Sequence, residues 1–522
     1  MAEHVGIEVI ERVRPAIARI AKGYAKRLAG LLHCDIRVEA SEGVGVYAEN
    51  GAPKSTQEER GLSFGVRVLA ESGGAVAPGY FGRTLGTADV HRMSAIVREG
   101  VKHAHERARA SAARKAATRG RFGRLADNLY DTRLAPVRAH VDTVPAIFEI
   151  DPRSLSLGAI AAEVGKISKA VAGFSATVRY NGIGASSVLI RNLYCSSEGA
   201  NIDHTFAQSE AFVFVMANGE TGPMELYDFS GHQRGWEVLQ RGYDHASIQL
   251  PSLRDFALDL TKVTVETADA PPLPSSEGPV PVVTDPHYNT LLVHEIVGHP
   301  VELDRALKME AGYAGRSWLL NDLGESQVGK RIASPLVNAV SDASIEGFGY
   351  FPYDHEGTKA RRVWHIRDGV LEEFLTSRQT AAIAGVEANG GYVATDASMV
   401  PLVRMTNTFF VSGDTPPEEL FKDIDHGYYV KGHRIPSISE SRENFRISAK
   451  QVYEINHGEI GRLYRDGAVM SDSKDYFMRV DGVGNDFHLY PIPNCGKGQP
   501  MQAKRMSNGG PTMRSVARVV GP

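Results

Sequence analysis

Two histidines and a glutamate lie close together in the middle of the chain, in the order His294-Glu295-x-x-Gly298-His299. Neutral imidazoles are common zinc ligands, and a carboxylate beside such a ligand can accept a proton from water activated by the metal. We therefore predict a zinc site in which His294 and His299 are ligands and Glu295 is the general base of a hydrolytic reaction. The alternative is that both histidines are structural, one buried and hydrogen-bonded and the other exposed.

The five-residue spacing of the histidines does not suit an ideal α-helix. Asp285 is a typical N-cap and Pro286 fits a first helical turn, so a helix should begin there and carry the motif. Five residues turn an α-helix by about 500°, which would point the two imidazoles about 140° apart. A wider π-helical turn would bring them to one face. Because Gly298 and Pro300 make such a distortion easier, we predict an irregular helix between Glu295 and Pro300.

A catalytic zinc site also needs a third protein ligand and an open fourth position. Cys495 is one candidate, because Gly496 lets the backbone approach closely and Lys497 could favour the thiolate. Three other residues could serve instead: Glu302, His365 and His433. A buried, unreactive Cys495 is a further alternative, and the residues alone leave this choice open.

Composition and charge indicate an ordinary globular protein. The chain has 522 residues, of which 42% are hydrophobic and 23% are charged, so we expect at least two domains. A formal net charge of -4 gives no global bias toward nucleic acid or anionic membranes. The sequence lacks a basic, apolar start and a membrane-spanning apolar run, which predicts a cytoplasmic location. Cys34 and Cys195 lie in strand-like runs and are interpreted as inert packing residues.

The first half of the chain is predicted to be α+β, with helices packed on an antiparallel sheet. Helical periodicity predicts helices at residues 7–32, 88–117 and 154–173. Short alternating runs predict strands at residues 36–38, 44–47, 64–69, 176–180, 187–190 and 211–215. A basic cluster from Arg107 to Arg124 lies at the end of the second helix. Because it has no interleaved aromatic residues that could stack on bases, we favour a solvated helix face over nucleic-acid binding.

A proline-rich stretch at residues 267–286 is predicted to be an extended linker between two domains. The N-terminal α+β domain would then cover residues 1–266, and a β-rich catalytic domain would cover residues 287–522. Strands are predicted at residues 362–366 and 370–374, around the turn Arg367-Asp368-Gly369, and again at residues 452–455. We therefore expect the second domain to contain a large antiparallel sheet and the helix with the metal motif.

Several motifs together resemble the TldD/PmbA family of metallopeptidases, specifically the TldD-like branch that retains the metal motif. The motifs occur in the order expected for the family, and the resemblance covers most of the chain. They are Gly65-Val66-Arg67-Val68, His294-Glu295-x-x-Gly298-His299, Asp354-His355-Glu356-Gly357-Thr358, Arg404-Met405-Thr406-Asn407, Val483-Gly484-Asn485-Asp486 and Cys495-Gly496-Lys497-Gly498-Gln499. The stretch from Pro300 to Asp304 departs from the glycine-rich or acidic continuation expected after the second histidine.

The resemblance implies a zinc peptidase with His294, His299 and Cys495 as the metal ligands. It also implies action on peptides or unfolded polypeptide segments, including leader segments of precursor peptides. The implied partner is a PmbA-like paralogue that lacks the metal motif, or a second copy of the chain; neither nucleic acid nor membrane is expected.

Other functions and residue roles remain to be weighed against this hypothesis. The chain could be a noncatalytic peptide-binding or assembly subunit of such a complex, although the intact Glu295 argues against it. Glu356, Arg404 and Asn407 could orient the substrate, or could serve only in strand pairing and salt bridges. In the β-rich domain, an extended peptide could add to a sheet as a further strand and present its carbonyl to the metal.

Overall fold

A seven-stranded sheet forms the framework of the first half of the chain. The protein is described by a computed structural model, which covers residues 6–118, 121, 132–245, 247–310, 315–320 and 325–522. The sheet strands are β1 (Leu31–Glu49), β2 (Ala52–Ser72), β3 (Ala75–Thr84), β4 (Val141–Val144), β5 (Val178–Ser196), β6 (Asn201–Gly219) and β7 (Gly222–His232). Their order is β3-β2-β1-β5-β6-β4, with β7 also paired to β6. All neighbours are antiparallel except β4 and β6.

Helices cover this sheet and form its apolar core. They are α1 (Val9–Arg19), α2 (Met93–Thr118), α3 (Leu157–Ala172), α4 (Glu237–Gln240) and α5 (Leu253–Asp269). The predicted opening helix is shorter than expected, because α1 continues only as a π-helical turn (Ile20–Tyr24) and a 3-10 turn (Ala25–Arg27) before β1 begins. None of the described helices is long and apolar enough to cross a membrane.

The strands of the first half are much longer than the apolar runs that predicted them. The runs at residues 36–38 and 44–47 both belong to β1, and those at 176–180 and 187–190 fall largely within β5. Polar residues such as Ser41 and Ser187 interrupted the apolar pattern, yet both are buried in the sheet. Alternation of apolar residues therefore marked only the centres of these strands.

The second half contains two further mixed sheets. The second sheet has β10 (Val280–Thr284), β17 (His426–Ile438), β18 (Asn444–Asn456), β19 (Glu459–Tyr464), β20 (Ala468–Asp472), β21 (Gly482–Val483) and β24 (Met513–Val520). Because β10 pairs with both β17 and β24, this sheet closes on itself. The third sheet has β11 (Ala339–Asp342), β12 (Arg362–Arg367), β13 (Val370–Leu371), β16 (Thr408–Phe410), β22 (His488–Lys497) and β23 (Gln502–Gly510).

The third sheet has the order β13-β12-β11-β16-β23-β22, so β22 is one of its edges. Two small hairpins complete the strands: β8 (Tyr243–His245) with β9 (Ile248–Leu250), and β14 (Tyr392–Val393) with β15 (Leu402–Val403). The helices of this half are α6 (Pro286–Val293), α7 (Leu303–Ala306), α8 (Arg378–Ala384) and α9 (Ser473–Met478). The α+β fold class is confirmed, with the strands of the second half divided between two sheets.

The predicted linker at residues 267–286 is only partly irregular. Its first residues end α5, and Val280–Thr284 form β10 inside the second sheet. The prolines that indicated a linker lie mainly between these two elements. The position of the domain boundary stays a prediction.

The basic cluster at the end of α2 contributes to packing as well as to the surface. Arg107 donates a hydrogen bond to the carbonyl of Tyr80 at 2.7 Å and lies over the ring of Phe81. Arg109 is exposed on the same helix. Arg119 and Arg124 lie outside the described residues. These contacts agree with a helix face and add nothing that favours nucleic acid.

Candidate metal centre

The helix that carries the histidines begins as predicted. Asp285 caps α6 by accepting a hydrogen bond from the backbone N–H of Tyr288 at 2.7 Å, and Pro286 occupies the first turn. The helix then runs through the core of the second half, where the Tyr288 hydroxyl donates to the carbonyl of Ile447 at 2.9 Å. Since α6 is buried on nearly all sides, it holds the following residues rigidly.

The predicted irregularity in this helix is confirmed. Residues His294–Gly298 form a π-helical turn, in which the N–H of His299 donates to the carbonyl of His294 at 3.1 Å. The two imidazole rings consequently lie on one side, with centroids 4.7 Å apart and planes at 85°. Gly298 is required for space, because a Cβ at this position would lie 1.9 Å from the Met405 sulfur.

Cys495 completes a three-residue cluster with the two histidines. The ligand atoms of His294, His299 and Cys495 all lie within 4.8 Å of one another, and Cys495 Sγ is 3.7 Å from His299 Nε2. In tetrahedral zinc sites a nitrogen and a sulfur ligand are about 3.5 Å apart. All three side chains are buried. The donor set therefore suits zinc, and the Cys495–His299 distance is already close to that of a zinc site, whereas the most widely separated ligand atoms would have to approach by about 1 Å.

A local distortion of β22 places the cysteine. The pairing of β22 with β23 is shifted between Ile492 and Cys495, which is where a bulge re-aims side chains. Arg404 stabilises this segment by donating to the carbonyl of Cys495 at 2.5 Å and to that of Gln502 at 2.9 Å.

Hydrogen bonds behind each imidazole fix which nitrogen faces the cluster. Asn508 donates through its amide to the carbonyl of Thr408 at 2.9 Å, so its oxygen is left to accept from His294 Nδ1 at 3.0 Å. Nδ1 of His299 lies 3.3 Å from the Glu302 carboxylate and 3.1 Å from the Arg305 guanidinium, which can only donate. His294 thus keeps Nε2 available for a metal, as does His299 in the tautomer whose Nδ1 donates to Glu302. Glu302, an alternative ligand from the sequence, belongs to this outer layer.

Lys497 does not act on the thiolate, and that expectation is wrong. Its ammonium group donates to Asp304 and to the carbonyl of Val403, each at 2.7 Å, and to Glu302 at 3.2 Å. These three acceptors use the three donors of an ammonium group. Lys497 therefore neutralises the acidic residues Glu302 and Asp304 behind His299. Both acids belong to the stretch from Pro300 to Asp304 that departs from the family pattern.

The cluster is strongly polarised. Burial opposes ionisation of Cys495, but the two imidazoles hold the pKa of its thiol well below the usual range. Burial likewise opposes protonation of His294, yet the neighbouring thiolate raises the pKa of His294 to about 9. The thiolate therefore favours a positive charge at the centre of the cluster. A bound metal cation would supply that charge.

The other two cysteines are chemically different. Burial raises the pKa of Cys195 to about 12 and the pKa of Cys34 well above its usual value. Both thiols stay protonated in the core of the first half, which agrees with the prediction that they are inert.

Glu295 lies beside the cluster and has a partner that the sequence did not reveal. Arg442 donates a hydrogen bond to the Glu295 carboxylate. Burial would raise the pKa of Glu295, but Arg442, followed by His299 and His294, lowers it. Arg442 comes from the turn between β17 and β18, and nothing in its local sequence could have indicated a partner so distant in the chain.

The remaining alternative ligands lie elsewhere. His365 on β12 donates from Nδ1 to the carbonyl of Glu373 at 2.9 Å, and its Nε2 is 2.8 Å from the Ser341 hydroxyl. His433 on β17 stacks on His287, with ring centroids 4.7 Å apart. Neither residue joins the cluster of His294, His299 and Cys495.

The residues suspected of orienting the substrate have structural contacts. Glu356 is buried and accepts hydrogen bonds from Arg67 at 2.5 Å and from the N–H of Arg378 at 2.7 Å. Asn407 accepts from the N–H of Gly349 at 2.8 Å and donates to the carbonyl of Ile345 at 2.9 Å. Arg404 holds the Cys495 segment. These contacts favour the alternative of salt bridges and strand support for all three.

Comparisons with known proteins agree with this arrangement. Residues 34–112 match the model of PmbA/TldA metallopeptidase domain 1, and residues 277–520 match that of the PmbA/TldA metallopeptidase C-terminal domain. A metalloprotease of Methanothermobacter thermautotrophicus is 31% identical over 66% of this chain and 70% of its own length. A zinc metalloprotease TldD homolog of Saccharolobus solfataricus is 29% identical over 47% of this chain and 52% of its own length.

Solved structures show a similar fold. TldE from Thermococcus kodakarensis has a TM-score of 0.66 and is 14% identical, over 98% of this chain and 100% of its own. A protein from Thermotoga maritima, described as a candidate modulator of DNA gyrase, has a TM-score of 0.68 at the same identity, over 98% of this chain and 99% of its own. At this identity the similarity concerns the fold alone.

Proposed function

The chain belongs to the TldD/PmbA family, and on that premise we propose that it is a zinc-dependent peptidase acting on peptides or unfolded polypeptide segments. The observation that carries this proposal is the convergence of His294, His299 and Cys495 on one buried point, with the carboxylate of Glu295 beside it. A structural role for the histidines would not require a thiolate between them. Leader segments of precursor peptides are among the proposed substrates.

In the proposed mechanism, zinc would be held by Nε2 of each histidine and by the Cys495 thiolate. The metal would supply Lewis acidity toward the scissile carbonyl and would make water a stronger acid. Glu295 would take the proton from the attacking water and transfer it to the nitrogen of the leaving amine. Because an anionic thiolate reduces the Lewis acidity of zinc, this site should be less strongly activating than one with three neutral ligands.

Arg442 has a defined place in this mechanism. A general base must be ionised to accept a proton, and the guanidinium of Arg442 favours the ionised form of Glu295. In the structure Arg442 occupies one carboxylate oxygen of Glu295, Oε2. The proposed base is therefore the other oxygen, Oε1.

The edge strand β22 is the proposed binding site for an extended substrate. Cys495 lies near the end of β22, and the neighbouring Asn494 is exposed. A peptide that added to this edge would pass directly beside the metal ligands. Pro491 and Pro493 have no amide donor, which limits uncontrolled pairing along the rest of the edge. Recognition of backbone groups would give broad specificity and would spare folded proteins.

We also propose that the active protein is a dimer in the cytoplasm, either with a PmbA-like paralogue or with a second copy. The similarity of the fold to TldE supports a pairing of this kind. The competing function is a noncatalytic peptide-binding or assembly subunit. An intact Glu295 in a polarised cluster favours the enzyme.

The test is to measure zinc content and peptide cleavage together, for the chain alone and with a candidate partner. We expect one zinc per chain, cleavage of unfolded substrates by the dimer, and loss of zinc in Cys495→Ala. Zinc binding without cleavage of any unfolded substrate, in either oligomeric state, would favour the noncatalytic subunit. Stoichiometric zinc in Cys495→Ala would refute the assigned ligand set.

A further inference from the structure

A cavity of about 110 Å³ lies between the first sheet and the second half of the chain, and its lining does not include the three residues of the metal cluster. Its walls come from β1, β5 and β6 on one side and from β23 and the segments near Tyr350 and Ala394 on the other. Aromatic side chains form much of the lining: Phe206, Tyr350, Phe351 and Tyr353. Concave aromatic sites with a few polar groups are typical of ligand binding.

Lys504 provides an ammonium group to this cavity without an anionic partner. Its Nζ lies 5.5 Å from the centroid of the Phe351 ring. Among the described residues, no carboxylate or carbonyl accepts a hydrogen bond from this Nζ. Burial, Arg404 and Arg505 lower the pKa of Lys504 to about 7, and the neighbouring Cys495 opposes this shift only in part.

The other cations of the lining are already paired. Arg505 donates to both carboxylate oxygens of Glu210, at 2.5 and 2.7 Å. Arg37 donates to the carbonyls of Ala397 and Met399, which are neutral acceptors. Lys504 thus differs from both arginines in having no hydrogen-bond acceptor among the described residues.

Neutral groups in the lining could complete the coordination of an anion. Burial and Asp396 raise the pKa of Glu39 to about 8, so this carboxyl group is largely protonated near neutral pH and can donate a hydrogen bond. Burial lowers the pKa of His204 to about 4, which leaves a neutral imidazole beside Phe206. The hydroxyl of Tyr194 is buried and has no hydrogen-bond partner.

We propose that this cavity binds a carboxylate-bearing group with an apolar body, and that Lys504 is its cationic anchor. Lys504 lies directly opposite Cys495 in the pairing of β22 with β23, so the two Cα atoms are about 5 Å apart. The cavity is therefore next to the metal cluster. The carboxylate can come from an acidic side chain or terminus of a bound peptide, or from a free organic acid; only the first source rests on the proposed peptidase function.

The first experiment measures binding of benzoate and of its neutral isostere benzamide by calorimetry. We expect benzoate to bind about tenfold more tightly, as one charge-assisted contact allows. Lys504→Gln should remove this preference, Lys504→Arg should keep it, and the exposed control Lys166→Gln should not change it. Benzoate bound only at the metal would be insensitive to Lys504→Gln. Equal binding of the two compounds, or an unchanged preference in Lys504→Gln at unchanged zinc content, would overturn the proposal.

The second experiment identifies the source of the carboxylate. Peptides that differ only by glutamate or glutamine at one position are titrated into Glu295→Gln, which under the proposed mechanism binds without cleaving. Tighter binding of the glutamate peptide that depends on Lys504 assigns the cavity to the substrate. Benzoate preference without peptide preference assigns it to a free acid and leaves the cavity site intact. The benzoate result therefore stands even where the peptidase function fails.

Discussion

Arg442 donates a hydrogen bond to the carboxylate of Glu295, although 147 residues separate them in the chain. Arg442 has a positive φ of 66°, which is unusual for a residue other than glycine. Its backbone is held by a hydrogen bond from its N–H to the carbonyl of Ser439 at 2.9 Å and by one from the Ser473 hydroxyl to its own carbonyl at 2.7 Å. The turn between β17 and β18 thus sets the charge environment of the proposed base.

Removing the guanidinium should shift the pH dependence of catalysis. Arg442 lowers the pKa of Glu295 against the opposing effect of burial, so Arg442→Gln should raise this pKa. The base must be ionised, so the acidic limb of kcat/KM should move to higher pH, while Arg442→Lys should shift less. An acidic limb that is identical in Arg442→Gln and the wild type would show that Arg442 does not act on the base.

The outer hydrogen bond to His294 should contribute to zinc affinity. Asn508→Ala removes the acceptor for Nδ1 of His294, and loss of such a contact typically costs about 10–100-fold in metal affinity. Competition with a chelator of known affinity measures the change. Asn456→Ala, an exposed position at the end of β18, is the control and should retain wild-type affinity. Equal affinities for both variants would contradict the assigned role of Asn508.

The π-helical turn should not tolerate a side chain at Gly298. A Cβ there would lie 1.9 Å from the Met405 sulfur, so Gly298→Ala should lower the free energy of unfolding by about 1–3 kcal/mol through overpacking and should weaken zinc binding. Adding Met405→Ala should restore zinc binding in part, since it removes the clashing atom. Denaturant unfolding and zinc content of the single and double variants check this. Wild-type behaviour of Gly298→Ala would mean that the turn differs from the one described.

A buried ion-pair network should stabilise the contact between the two halves. Arg67 contacts Asp35 at 2.6 Å and Glu356 at 2.5 Å. Arg67→Met would remove the one guanidinium that both buried carboxylates share, and breaking a buried ion pair in this way typically costs about 3–5 kcal/mol. Arg67→Lys, with one ammonium group for two carboxylates, should cost less. Chemical denaturation measures both, and a loss below about 1 kcal/mol in Arg67→Met would contradict a stabilising network.

The same network predicts a pH dependence of stability. Burial alone would raise the pKa of Asp35, but Arg67 and, to a lesser extent, His33 hold this pKa well below its usual range. A depressed carboxyl pKa stabilises the fold above the unfolded-state pKa of about 3.9, and this stabilisation is lost as pH falls below that value. The wild type should therefore lose more stability than Arg67→Met between pH 5 and acidic conditions near the folded pKa. Parallel losses in the two proteins would show that Asp35 is not the responsible group.

The sequence predicted the local features of the site better than its long-range contacts. The five-residue spacing of His294 and His299 required a distorted helix, and the structure has one. Cys495 could not be chosen over its alternatives from the residues alone, because its distance from the motif depends on the packing of β22 against α6. Arg442 and Asn508 were missed for the same reason.

The fold was predictable as a class but less so in its details. Apolar alternation located strand centres, whereas the polar residues in β1 and β5 hid the length of these strands. Lys497 was assigned to the thiolate because it is near Cys495 in sequence and, two residues further along the same strand, is expected on the same face of the sheet. Its ammonium group instead binds stronger acceptors. Acidic residues behind His299 provided those acceptors.

The most direct test of the central claim is the rate at which zinc-loaded Glu295→Gln cleaves an unfolded peptide. Glutamine keeps the shape of the side chain but cannot accept a proton from water, and removal of a general base typically slows a reaction by about 10²–10⁴-fold. We predict one zinc per chain in this variant and a cleavage rate at least about 100-fold below that of the wild type. Cleavage at the wild-type rate by the zinc-loaded variant would contradict the assignment of Glu295 and, with it, the proposed mechanism.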